Sequence, residues 1–340
     1  MASQKWLHLP KYLPYLSRDT LQSLQVYPYG TTQRLYSYAP RLDRDIHVDF
    51  PEIMPLMRSA WPHLRSIDLP YVEFGVSHSL ARQRFESHTR IWLSFIEGLS
   101  EMQSLCICLA PLPSLLAGLS NLPRLHTLDL SYSYLDNIRP CDWSSPGDES
   151  LHLSPSCFPS LVNLKLLINV IDSALSPSMM VLQALRHSQT LTRLEIVLKT
   201  IQSFTRLSTA FEAISRILPL KHLSMYISTL KNDTNTSDSN DSDRTDFVVS
   251  GRLLSMFFSL QHLQHLTLNT DEDSKYDPQV TIGDQDLHDA AIAWPDLRDI
   301  SFVFMKSKTH LPRISLAGVQ ALYNKCPHLC KIEMSTLTLR

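Results

Sequence analysis

A short phrase recurs along this chain at intervals of roughly 20 to 45 residues, and repetition of that length constrains the fold more than any local feature. It reads apolar-x-x-Leu-x-(Leu/Ile/Met), with isoleucine sometimes in the middle place, and an aromatic residue, Leu or Cys followed by Pro often opens it. The clearest copies are Trp61-Pro-His-Leu-Arg-Ser-Ile-Asp-Leu69, Leu122-Pro-Arg-Leu-His-Thr-Leu-Asp-Leu130 and Phe158-Pro-Ser-Leu-Val-Asn-Leu-Lys-Leu166. Trp294-Pro-Asp-Leu-Arg-Asp-Ile-Ser-Phe302 and Cys326-Pro-His-Leu-Cys-Lys-Ile-Glu-Met334 follow. Shorter copies begin at Leu21, Met102, Leu191, Leu220 and Leu263, and Ile46–Phe50 reads as a strand of a degenerate one. A unit this short cannot bury its apolar face alone, so several must stack.

Each phrase ends in strict alternation, which predicts a short strand buried on one face. The segments between phrases have helical spacing instead. Helices are expected over 52–61, 91–99, 177–188, 207–217, 247–260, 284–294 and 315–326, with Ser176 before Pro177 suited to a first helical turn. Proline in the second place of the phrase cannot continue a helix and drives the preceding residue to extended backbone. Residues 1–50 are read as an N-terminal cap or degenerate first repeats, and 51–340 as the repeat array. Two insertions interrupt it. Residues 132–157 are rich in Pro and Ser, and Lys231–Thr245 contains no apolar residue and is expected to be disordered. Three glycosylation sequons in the second insertion carry no weight without a signal peptide, and its Ser/Thr and acidic density reads as a spacer, with a phosphorylated segment as the alternative.

Composition removes several function classes. Thirty-one Lys and Arg against 33 Asp and Glu give a net charge of -2, so no global basic field attracts nucleic acid or anionic lipid. No stretch approaches the roughly 20 apolar residues of a membrane span, and Met1–Trp6 lacks the apolar core of a signal peptide. Six cysteines are too sparse for a disulfide framework, which suggests a reducing cytoplasmic or nuclear setting. Only 8 Gly are present, and no Walker loop, G-x-G-x-x-G or H-E-x-x-H occurs. Gly75–Ser79 misses the nucleophile elbow at its last residue. No catalytic group, cofactor or metal is expected. Cys106 and Cys108 lie on one strand, while Cys326 takes the opening place of a phrase and belongs to the core.

These copies resemble leucine-rich repeats. The long irregular units opening on an aromatic residue or Cys followed by Pro are similar to the repeat half of F-box proteins, particularly divergent fungal ones, over about residues 20–340. The resemblance implies an α/β leucine-rich-repeat solenoid, with a curved parallel sheet on its concave face and helices on its convex face. It also implies a non-catalytic scaffold that holds a protein, the substrate-recognition module of an SCF-type ubiquitin-ligase receptor. An F-box-independent interaction protein is the alternative. Leu9-Pro10 has the opening of an F-box but lacks its continuation, so a ligase adaptor is expected as partner only if an F-box lies upstream.

Alternation divides the strand residues. Leu128, Leu164, Leu194, Leu223, Leu266 and Ile300 are assigned to the core. Asp68, Cys106, Asp129, Lys165, Glu195, Ser224, Thr267, Ser301 and Glu333 fall on the open side, flanked by Ser66, Thr127, Asn163, Arg193, His222, Tyr226, His265, Asn269, Asp299 and Lys331. The partner-binding set is Asp129, Lys165, Arg193, Glu195, His222, Tyr226, His265 and Thr267, with Arg and Tyr as the anchor types that dominate protein interfaces.

Overall fold

A computed structural model of the chain describes residues 23–25, 63–69, 94–107, 113–130, 157–169, 177–199, 204–228, 248–270, 279–303 and 314–334. The chain forms two compact units, Met1–Leu161 and Val162–Arg340. In the first, strands β1 (Ser23–Gln25), β2 (Ser66–Leu69), β3 (Ser104–Ile107) and β4 (Thr127–Leu130) pair in chain order, all parallel, with helix α1 (Pro113–Ser120) between the last two. In the second, the elements run β5 (Asn163–Asn169), α2 (Pro177–Leu185), β6 (Arg193–Lys199), α3 (Phe204–Ser215), β7 (His222–Ser228), β8 (Val248–Ser250), α4 (Gly251–Ser255), β9 (His265–Thr270), β10 (Gln279–Thr281), α5 (Asp284–Ala293), β11 (Asp299–Val303), α6 (Leu316–Lys325) and β12 (Lys331–Met334). Its main sheet is parallel, in the order β5-β6-β7-β9-β11-β12. Strands β8 and β10 pair in a separate small parallel sheet.

The phrase does two jobs in the backbone. Its opening residue starts a tight turn, and at Trp294 and Cys326 it also ends the preceding helix. The N–H of Leu297 donates to the carbonyl of Trp294 at 3.1 Å, Leu329 to Cys326 at 3.1 Å and Leu161 to Phe158 at 3.2 Å. Proline thus occupies the second position of a β-turn, where its fixed φ is already correct and no N–H is needed. At Phe158 the turn opens with φ 53 on a buried aromatic residue, an uncommon conformation held by the bond from its N–H to the Ser120 carbonyl at 2.9 Å.

The second job is registration. The carbonyl just after the first apolar residue of one phrase accepts two N–H groups from the next. Arg65 receives Gln103 and Ser104, and Gln103 receives His126 and Thr127. In the second unit Val162 receives Thr192 and Arg193, Thr192 receives Lys221 and His222, Lys221 receives Gln264 and His265, Gln264 receives Arg298 and Asp299, and Arg298 receives Cys330 and Lys331. The same forked bond recurring at the same phrase position fixes each strand relative to the last. A one-residue slip would turn every leucine outward.

The result is two buried rows along the second sheet. Leu164, Leu194, Leu223, Leu266 and Ile300 form one, and Leu166, Ile196, Met225, Leu268 and Phe302 the other. Leu182, Phe211, Ile214, Leu254, Leu287 and Leu322 on the helices are buried with them. Leu128 is buried in the same way in the first unit, so the expected core positions are equivalent. The opening residues are core too. The Trp294 ring is buried, and its Nε1–H donates to the Phe257 carbonyl at 3.1 Å. Cys326 is buried, with its thiol 3.4 Å from the Trp294 carbonyl.

Two glycines are required by close approach. Asp284 accepts the N–H and hydroxyl of Ser315 at 2.7 and 2.6 Å, and a Cβ on Gly318 would lie 2.4 Å from the same carboxylate. A Cβ on Gly251 would meet Asp286, whose other oxygen accepts the Gly283 N–H at 2.7 Å.

Several expectations need correction. The helix expected over 247–260 is only Gly251–Ser255, because Val248–Ser250 pairs with Gln279–Thr281 as a strand. Helix Pro113–Ser120 was not anticipated. The helices expected over 177–188 and 207–217 are Pro177–Leu185 and Phe204–Ser215. Cys157, placed at the end of an insertion, is buried instead. The helix expected over 52–61, the strand at 46–50, the rest of the 132–157 insertion and the 231–245 insertion lie outside the described residues.

Candidate functional site

The open face of the second sheet is a grid set by strand register. One row runs Asn163, Arg193, His222, His265, Asp299, Lys331. The next runs Lys165, Glu195, Ser224, Thr267, Ser301, Glu333, and a third Leu167, Val197, Tyr226, Asn269, Val303. Neighbours within a row sit about 4.8 Å apart, close enough for side chains to pair.

Pairing is what the structure adds to the sequence. Lys165 Nζ lies 2.8 Å from Glu195 Oε1. His265 Nδ1 lies 2.5 Å from Asp299 Oδ2. Lys331 Nζ lies 2.8 Å from Glu333 Oε2, which also accepts the Ser301 hydroxyl at 3.3 Å. The hydrogen bond and charge of each partner raise the Lys331 ammonium and lower the Glu333 carboxyl. These exposed or half-exposed pairs contribute little stability each, because solvent screens them. They settle where charge is neutralised on the face.

His222 and His265 stack with ring centroids 4.1 Å apart and planes 7° from parallel. Burial, then His265, Arg193 and Lys221, push the His222 imidazole down to about 4, with Asp299 opposing. It is therefore neutral near pH 7. Tyr226 stands exposed four residues along the same strand. Asn269 Oδ1 is buried without a hydrogen-bond partner among the described residues.

Seven of the eight expected site residues fall on this grid: Lys165, Arg193, Glu195, His222, Tyr226, His265 and Thr267. Asp129 belongs to the first unit, where the row is Asp68, Cys106, Asp129. Burial, then the charges of the flanking Asp129 and Asp68, either of which can accept the single thiol proton, push Cys106 far up, so it is a protonated donor and not a nucleophile. Cys108 lies outside the described residues. No group of three or more His, Cys, Asp or Glu among the described residues is arranged to hold a metal ion. No described helix is long and apolar enough to cross a membrane. Asp299, expected only as a flank, lies 2.5 Å from the His265 imidazole; its signal is the phrase position it shares with His265, one strand along.

No family model and no curated protein matches this chain.

Proposed function

We propose that the protein is a leucine-rich-repeat solenoid whose open sheet face is concave and holds a protein partner, with no catalysis of its own. The observation that carries this reading is the division of the second sheet. One side is sealed by leucines in register, and the other presents paired charges, hydroxyls, stacked imidazoles and an exposed tyrosine on a rigid frame. Solenoids recognise partners on such extended faces. A fixed grid of mixed polar groups suits recognition, since its side chains lose little freedom on binding.

Within this reading the partner is a protein delivered to a ubiquitin ligase, and the chain is the substrate-recognition module of an SCF-type receptor that works in the cytoplasm or nucleus. The resemblance of its phrases to those of F-box repeat proteins favours this role. The alternative is a repeat protein that binds and regulates without ubiquitin. Quantitative capture of cell proteins on immobilised chain is the test. Arg193→Ala and Tyr226→Ala should each lose the captured partner, by more than about 1 kcal/mol in affinity, while Gln183→Ala on α2 retains it. Loss with Gln183→Ala alone would overturn the site. Co-capture of a ligase adaptor separates the receptor from its alternative.

A further inference from the structure

The charges of the open face do not cancel at one place. Lys165 is neutralised by Glu195 and Lys331 by Glu333, and the Asp299 carboxylate lies against the His265 imidazole. Arg193 is exposed and has no acidic partner among the described residues, and neither has Lys221, at the start of the adjoining strand. His222 is directly across from Arg193. In the next row Ser224 and Thr267 are half-buried, in register, and without a hydrogen-bond partner for their hydroxyls among the described residues. Four kinds of donor therefore surround one spot on β6, β7 and β9 with no acceptor supplied to it.

We infer that this spot is a carboxylate-binding site, taking an acidic side chain of a protein partner between Arg193 and His222, with Ser224 and Thr267 as further donors. This rests on the reading of the face as a protein-binding surface and names the chemistry it selects. A planar guanidinium takes a carboxylate in two parallel bonds. Glu195 stands beside Arg193 on β6 and Asp299 lies beyond His265 on β11, and these carboxylates disfavour a phosphate dianion more than a monoanion.

The site has a consequence in pH. The groups facing His222 are Arg193 and Glu195 on β6, Lys221 and Ser224 on its own strand, His265 on β9 and, beyond that ring, Asp299 on β11. A bound carboxylate would neutralise Arg193 and attract a proton to His222. Binding then carries proton uptake. Restoring the imidazole from about 4 to its ordinary 6.5 would tighten binding about tenfold between pH 8 and pH 5.5.

The test uses the full chain and fluorescein-labelled hexaglutamate, followed by anisotropy at pH 8 and pH 5.5, with hexalysine and inorganic phosphate as comparators. Hexaglutamate should bind, about tenfold more tightly at pH 5.5. Arg193→Glu should lose it at both pH values, and Arg193→Gln should lose most of it; circular dichroism checks that both remain folded. His222→Gln should keep binding at pH 8 and lose the pH dependence. Failure of wild type to bind, unchanged binding by Arg193→Glu, tighter binding of phosphate than of hexaglutamate, or an intact pH response in His222→Gln would each overturn the inference. Partner capture that still depends on Arg193 and Tyr226 would then leave the protein-binding face standing without the carboxylate site.

Discussion

The same strand position carries opposite chemistry in the two units. In the first it reads Asp68, Cys106, Asp129, a protonated thiol held between two carboxylates. In the second it reads Lys165, Glu195, Ser224, Thr267, Ser301, Glu333, with its charges paired. One residue earlier on each strand there is no such contrast: Ile67, Leu105 and Leu128 in one unit and Leu164, Leu194 and Leu223 in the other are all buried. The forked backbone bond that recurs from phrase to phrase fixes where a side chain stands and which way it faces. It does not restrict what an outward side chain is. The buried row is constrained by volume, since an interior packed at crystal density tolerates few changes. The open row is free to specialise.

The sharpest way to break this comparison is to move one residue along a strand. Leu223→Ala removes a fully buried side chain from the centre of the second sheet and should cost about 2–5 kcal/mol of unfolding free energy. Ser224→Ala, its neighbour, should change stability by less than about 0.5 kcal/mol. Urea unfolding measures both. Equal losses would mean that the open row also supports the fold, and the contrast between the rows would collapse.

A second experiment sharpens the chemical side of the contrast. Removing both charges around Cys106, with Asp68→Asn and Asp129→Asn together, takes away the carboxylate charges that hold the thiol protonated and leaves burial, the largest cause. Each unit by which the thiol then falls gives about ten times more thiolate at a given pH. Alkylation of Cys106 by iodoacetamide at pH 8.5, followed by peptide mass spectrometry, should therefore accelerate by about tenfold or more. The exposed Cys330 in the same molecule is the internal reference. No acceleration would show that burial alone silences the thiol.

How far these rows could be read from sequence follows from what sets them. Alternation at Leu164, Lys165 and Leu166 places a side chain on one face by backbone geometry alone, so both rows were legible residue by residue. Helix limits were less so. Phe247 and the two valines after it fit an apolar helical stripe, but Val248–Ser250 finds a partner in Gln279–Thr281, 31 residues on, and a pairing that distant leaves no local signature. Helix Pro113–Ser120 was lost in a run so rich in leucine that no polar face marks its period. The pairing pattern was also less legible. Shared phrase positions put Lys165 beside Glu195 and His265 beside Asp299, but which neighbours bond depends on side-chain reach and rotamer, which position alone does not give.

The smallest effect tests whether the second unit's row titrates as a connected group. His222 is held near 4 in the folded chain and returns to about 6.5 when unfolded. Between those values the unfolded chain binds more protons at this site than the folded one. Stability attributable to His222 is therefore fully present above about pH 6.5, falls as pH drops through the window, and levels off below about pH 4. Because the ring is only partly buried, solvent screens the effect, and the slope rather than the total loss is the useful measure. Many carboxylates titrate over the lower part of this range, so the wild-type curve by itself does not isolate the histidine. His222→Gln does. It keeps a polar side chain of similar reach in the row, cannot take a proton, and removes one ring of the stack with His265. Unfolding free energy measured at half-unit steps from pH 7.5 to 4 should fall less steeply for His222→Gln than for wild type, with the two curves diverging mainly between pH 6.5 and 5. Asp68→Asn, in the first unit's row, should leave that difference unchanged. Parallel curves for wild type and His222→Gln would mean that the ring titrates alike in the folded and unfolded chains, and that Arg193 and Lys221 do not impose their charge on it.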